Sequence, residues 1–214
     1  MMPTNILDNN AIIGKDLGIL RDIHMKTKNI AVYQRNIASL TQGLDHAINR
    51  PIECQANGTV EEITLSLNRY FANALHLNEN LLEDILNLLV LYEQVTKVSS
   101  FQVSLNTIST NMCRRFHADN NELRMLCTYY GPGTLWLPDY AVDRKAYLDR
   151  KDNQKILLDE SLVQQVDTGD VVILKGSLYP GAIPVLHRSP GIEENGGERI
   201  LLSIDANESL SFSR

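Results

Sequence analysis

The chain has 214 residues, 43% hydrophobic and 21% charged, with a formal net charge of −6. That length and apolar content provide for one packed domain, alone or with an appendage, and exclude a chain too polar to fold. The acidic balance argues against a general polyanion binder, because such affinity rests on clustered Lys and Arg, so nucleic acid is not an expected partner.

Residues Met1 to Asn10 lack the basic start and apolar stretch of a secretory signal. No window approaches the ~18 consecutive apolar residues of a membrane span. A cytoplasmic protein with no membrane partner is therefore expected. Cys54, Cys113 and Cys127 cannot all pair within one chain, and they are read as reduced thiols.

In chain order, Ile19, Leu20, Ile23 and Met25 recur at roughly helical spacing, and the stretch from Asn29 to Tyr33 reads as a short strand. From Asn36 to Ile48, Ile37, Leu40, Leu44 and Ile48 form one helical stripe, closed by Pro51. Pro51 to Gly58 reads as a loop. Thr59-Val-Glu-Glu62 is a capping-box signal opening an amphipathic helix to about Leu75. Asn78 or Asn80 caps the next helix, whose wide apolar face runs through Leu81, Ile85, Leu88 and Tyr92.

After Ser99 the period changes to two. The segments 101–108, 123–130, 171–174 and 200–204 are β candidates separated by Gly, Pro and Asp. Residues 155–166 fit either a short helix or a barrel edge. Strands without intervening long helices indicate an antiparallel barrel or sandwich. The expected class is α+β, with a mainly helical region over 1–98 packed on a β-rich region over 99–214 as one compact unit.

The chemistry concentrates in the β-rich half. His117 and Asp119 are one residue apart, so on an extended strand both side chains emerge on the same face, as a chelate requires. Alone the pair is most simply a surface or turn feature. His187, following the strand-like Gly169 to Gly176, adds a second imidazole. Two His and one carboxylate form the facial triad that leaves coordination positions open on one side of an iron. Cys113, four residues before His117, is a further potential ligand, and a thiolate would favour zinc.

Arg199, past His187, opens the strand to Asp205 and offers a rigid fork of donors suited to a carboxylate. Arg188 adjoins His187 and would point to the opposite strand face, which suits an ion pair or a substrate contact. Gly131-Pro-Gly133 is a strong turn signal. Thr128, Tyr129 and Thr134 offer hydroxyls for cofactor binding near the ligands, with register deciding which point inward. Trp136 is either a packing residue or a substrate contact.

The strings Cys113-Arg-Arg-Phe-His-Ala-Asp119, Leu126-Cys-Thr-Tyr129, Gly131-Pro-Gly-Thr134 and His187-Arg-Ser-Pro190 with Arg199 resemble the bacterial domain-of-unknown-function family 1826. The likeness spans most of the chain and brings no known activity. More distantly, the C-terminal half is similar to the cupin-like double-stranded β-helix, or jelly roll, of iron(II)- and 2-oxoglutarate-dependent oxygenases. That resemblance implies His117, Asp119 and His187 as iron ligands and Arg199 as the 2-oxoglutarate clamp. It implies a dioxygenase that hydroxylates a small molecule or protein, and names no substrate. The alternative is a zinc-binding cupin-like protein of metal homeostasis that makes no use of Arg199.

Overall fold

The computed structural model describes residues 10–41, 44, 50–74, 76–193 and 197–208. Ten strands run through these: β1 (Ala11–Gly14), β2 (Ile30–Tyr33), β3 (Glu53–Gly58), β4 (Phe101–Ile108), β5 (Leu123–Tyr130), β6 (Leu135–Leu137), β7 (Gln164–Gln165), β8 (Val171–Lys175), β9 (Leu186–Arg188) and β10 (Arg199–Ala206). Seven form one sheet in the order β1-β2-β8-β5-β10-β4-β3, and β7-β6-β9 form a second, smaller one. All pairings are antiparallel except β1 with β2. The helices are α1 (Ala38–Thr41), α2 (Val60–Asn73), α3 (Glu79–Thr96), α4 (Arg144–Leu148) and α5 (Asn153–Ile156), with a 3₁₀ helix over Leu17–His24.

The alternation of the strands sorts their side chains onto two faces. On one face Val103, Leu105, Met125, Cys127, Ile173, Ile204 and their neighbours pack against Ile63, Leu67 and Phe71 of α2 and Leu81, Ile85, Leu88 and Tyr92 of α3. On the other, Ile30, Val32, Leu126, Val172 and Leu174 pack with Trp136, Val166 and Val185 of the smaller-sheet side. A third cluster, Phe116, Leu137, Val142, Ile156 and Leu186, ties the segment around His117 to α5.

The helix signals are met where side chains cap the backbone. Glu62 N–H donates to Thr59 Oγ1 at 3.3 Å while Thr59 N–H donates to Glu62 Oε2 at 2.8 Å, completing the capping box of α2. Asn78 accepts from Leu81 N–H at 2.8 Å and starts α3. Of the expected helix over 36–48, residues 38–41 are helical, and 42, 43 and 45–49 lie outside the described residues.

Two expectations for the first half are corrected. Residues 53–58 are not a loop: they form edge strand β3, in register with β4 from Glu53 opposite Asn106 to Gly58 opposite Phe101. Only Cys54 and Ala56 turn inward there, so the alternation is carried by two small residues and is faint in the sequence. The region 1–98 is also mixed rather than mainly helical, since β1, β2 and β3 all belong to the large sheet. Residues 155–166 divide between the end of α5, a 3₁₀ turn over Glu160–Leu162, and β7.

A buried ion pair joins the helical layer to the sheet. Arg35 binds Asp84 of α3 through both terminal nitrogens, at 2.5 and 2.8 Å, and its Nε donates to Gly169 O at 2.8 Å. Tyr129 donates its hydroxyl to the same Asp84 at 2.5 Å. Replacing Asp84 with Ala leaves a mostly buried guanidinium without its counter-charge, so Asp84→Ala is expected to lower unfolding free energy by about 3 kcal/mol. Urea denaturation would read this as a lower midpoint at an unchanged slope.

Candidate metal centre

His117 lies just outside a regular strand, yet its backbone is paired. Its N–H donates to His187 O at 3.0 Å, and His187 N–H donates to His117 O at 2.9 Å. This isolated antiparallel bridge sets two imidazoles from distant parts of the chain side by side, with ring centroids 4.7 Å apart and ring planes tilted by 45°. Asp119, two residues on, follows onto the same side as the strand period requires. Its Oδ2 lies 3.3 Å from His187 Nε2 and its Oδ1 lies 3.7 Å from His117 Nε2. One donor atom from each of the three lies within 4.8 Å of the others, and Cys113, which is exposed, stands outside the group.

The surrounding chain fixes each ligand's backbone. Phe116 N–H donates to Asn153 Oδ1 at 2.9 Å, and Ala118 N–H donates to Tyr147 Oη at 3.3 Å, so α4 and α5 brace the His117 segment from outside. Ser177 holds the carbonyl of Asp119 twice, through its N–H at 2.8 Å and its Oγ at 3.0 Å.

Protonation states follow from the neighbours. His117 Nδ1 lies 3.0 Å from Arg115 O, which can only accept, so Nδ1 carries a hydrogen and Nε2 is the ring nitrogen that faces Asp119. Burial pushes the His187 imidazole down to about 4, against the opposing pull of the Asp119 charge, so at neutral pH it is a neutral imidazole. Asp119 Oδ2 is buried and accepts no hydrogen bond. An orphaned carboxylate oxygen beside two imidazoles is a poor arrangement for a dry core and a good one for a divalent cation. The residues present therefore fit a facial-triad metal.

Arg199 lies at the start of β10, 1% exposed. Its Nη2 donates to Thr128 Oγ1 at 3.1 Å and to Thr134 Oγ1 at 3.3 Å, both threonines being buried, and its Nε has no partner. Among the described residues no acidic side chain pairs with it, and burial pushes its guanidinium down to about 10. It lines the same cavity of about 920 Å³ as His117 and His187.

Of the other predicted site residues, Thr128 and Thr134 serve Arg199, whereas Tyr129 faces the helices and binds Asp84. Tyr129 continues the row of Leu123, Met125 and Cys127 on the helix-facing side, and a β-bulge opposite Ile200 and Leu201 brings Tyr130 there as well. Trp136 is buried between the sheets and does not reach the cavity. Arg188 and Cys113 contribute to the cavity wall, with the Arg188 guanidinium 5.0 Å from the Phe116 ring centroid. The turn at Gly131 has φ 75°, and a Cβ at Gly133 would meet Val166 O at 1.9 Å, so both glycines are needed to pass this point.

Sequence reasoning missed Arg124. Its Nη1 donates to Asp119 Oδ1 at 2.7 Å, while Nε and Nη2 donate to the two oxygens of Asp205 at 2.8 and 3.0 Å. The available signal was a lone charge at an inward position of the apolar strand Leu123 to Tyr130.

The chain belongs to the family described as "Protein of unknown function (DUF1826)", whose sequence profile matches residues 14–205. No curated protein matches it in sequence. Among solved structures, it is similar to the dioxygenase for auxin oxidation 1 from Arabidopsis thaliana in its 2-oxoglutarate complex. The TM-score is 0.53 at 9% identity, covering 95% of this chain and 92% of that one. It is also matched to a Pseudomonas putida prolyl-4-hydroxylase, with TM-score 0.44 and 12% identity over 90% of this chain and 99% of the other. The first likeness shows a shared fold.

The buried His187 makes metal-free stability pH-dependent. An imidazole whose folded value lies below its unfolded one loses stability as pH falls, because the unfolded chain takes up the proton first. Melting temperature of the metal-free protein is expected to decline between about pH 6.5 and about pH 4, and His187→Gln should flatten that part of the profile.

Proposed function

We propose that this protein is an iron(II)- and 2-oxoglutarate-dependent oxygenase on a double-stranded β-helix, with His117, Asp119 and His187 as the metal ligands. The observation that carries the reading is Arg199: a buried cation, held by two threonine hydroxyls, without an acidic partner among the described residues, on the wall of the cavity that His117 and His187 also line. A buried charge left unpaired is destabilising, and a carboxylate arriving from solvent would supply the missing counter-charge. A dicarboxylate spanning from the triad to Arg199 meets both requirements. A zinc protein has no use for Arg199.

A bound iron(II) would supply the redox chemistry that couples oxidative decarboxylation of the 2-oxo acid to hydroxylation of a C–H bond. The chain's own residues orient and select. Thr128 and Thr134 fix the plane of the Arg199 guanidinium so that its remaining N–H groups face the cavity edge. Leu126 and Leu201 contribute apolar surface to the same wall, which keeps water from competing for the fork.

Removing the fork separates cosubstrate from metal. Arg199→Met is expected to weaken 2-oxoglutarate binding by about thirtyfold or more, in line with roughly 2 kcal/mol or more for a buried charge partner. Manganese(II) affinity should stay near wild type. Calorimetric titration of each ligand in turn measures both, and unchanged 2-oxoglutarate binding would contradict the assignment.

A further inference from the structure

Arg124 spans two carboxylates with one guanidinium. One terminal nitrogen takes Asp119 Oδ1 at 2.7 Å, and the opposite edge grips both oxygens of Asp205. Asp205 is itself anchored by Asn121 Nδ2 at 2.7 Å and Ser203 Oγ at 3.3 Å. The planar fork leaves little rotational freedom, so the Asp119 carboxylate is held with Oδ1 engaged and Oδ2 free beside His187.

We propose that Arg124 is a positioning residue that keeps Asp119 a one-oxygen ligand and thereby sets how many coordination positions the metal leaves open. The inference rests on the metal reading above. An unrestrained carboxylate beside two imidazoles can offer both oxygens to a cation and fill an extra position. A 2-oxo acid bound through two atoms, together with oxygen, requires three open positions. Spending Oδ1 on Arg124 removes the second donor. A lysine point charge could reach Asp119 but could not bridge to Asp205 in the same bidentate way.

The test uses full-length protein loaded with manganese(II) alone and reads water-proton relaxation, which scales with the positions open to exchanging water. Arg124→Met is expected to bind manganese(II) with relaxivity about one-third below wild type, one of three positions having closed. Arg124→Lys, which keeps a single donor to Asp119 but loses the bridge to Asp205, should recover only part of the signal. Asp205→Ala, which frees Arg124 from its anchor, should shift relaxivity in the same direction as Arg124→Met and serves in its place if that variant does not fold. Relaxivity equal to wild type in the folded variant would overturn the proposal. So would loss of manganese(II) binding in it, which would make Arg124 a determinant of affinity instead. Failure of the wild-type protein to bind manganese(II) would overturn the metal reading itself.

Discussion

Everything proposed for this protein depends on one pair of backbone hydrogen bonds, those between His117 and His187. They set the two imidazoles at 4.7 Å between centroids, with the ring planes tilted by 45°. The bridge is held from both sides. β9 is fixed by its pairing with β6, and the His117 segment is fixed by Phe116 in the small apolar cluster and by backbone hydrogen bonds donated to Asn153 and Tyr147. The short helices α4 and α5 thus act on the site indirectly, as a brace.

The inward face of the large sheet is divided. Its β2-β8-β5 side is apolar and closed by Trp136, Val166 and Val185, whereas its β10-β4-β3 side carries Ser203, Asp205, Gln102, Ser104, Asn106 and Gln55 and stays open to the cavity. The three ligands and Arg199 all contact or flank that opening. Charge is distributed accordingly: Arg124 is paired with two carboxylates, and Arg199 with none among the described residues. Two arginines on neighbouring strands therefore have different tasks, one holding a ligand in place and the other awaiting an anion.

Much of this was legible from residue types and spacing. The strands 101–108, 123–130 and 171–174, the capping box of α2 and the Asn78 cap of α3, and the grouping of His117, Asp119 and His187 follow from period, capping chemistry and ligand spacing. The parts that were not legible share a physical cause. β3 hides because Cys54 and Ala56 are weak markers of a buried face and pairing with β4 supplies most of its stability. The face of Tyr129 was open because alternation alone does not say which row of its strand meets the helices; it continues the row of Leu123, Met125 and Cys127. Arg124 was passed over because a single charge in an apolar strand acquires meaning only when its partners, Asp119 and Asp205, are brought to it by the fold.

The claim that the cavity joins a metal to a 2-oxo acid is tested most directly by adding iron(II) and then 2-oxoglutarate to the metal-free protein under anaerobic conditions and recording the visible spectrum. A weak charge-transfer band that rises to saturation with 2-oxoglutarate, and that is absent with either component alone, is the predicted result. A protein fully loaded with iron(II) that shows no such band at saturating 2-oxoglutarate would contradict it.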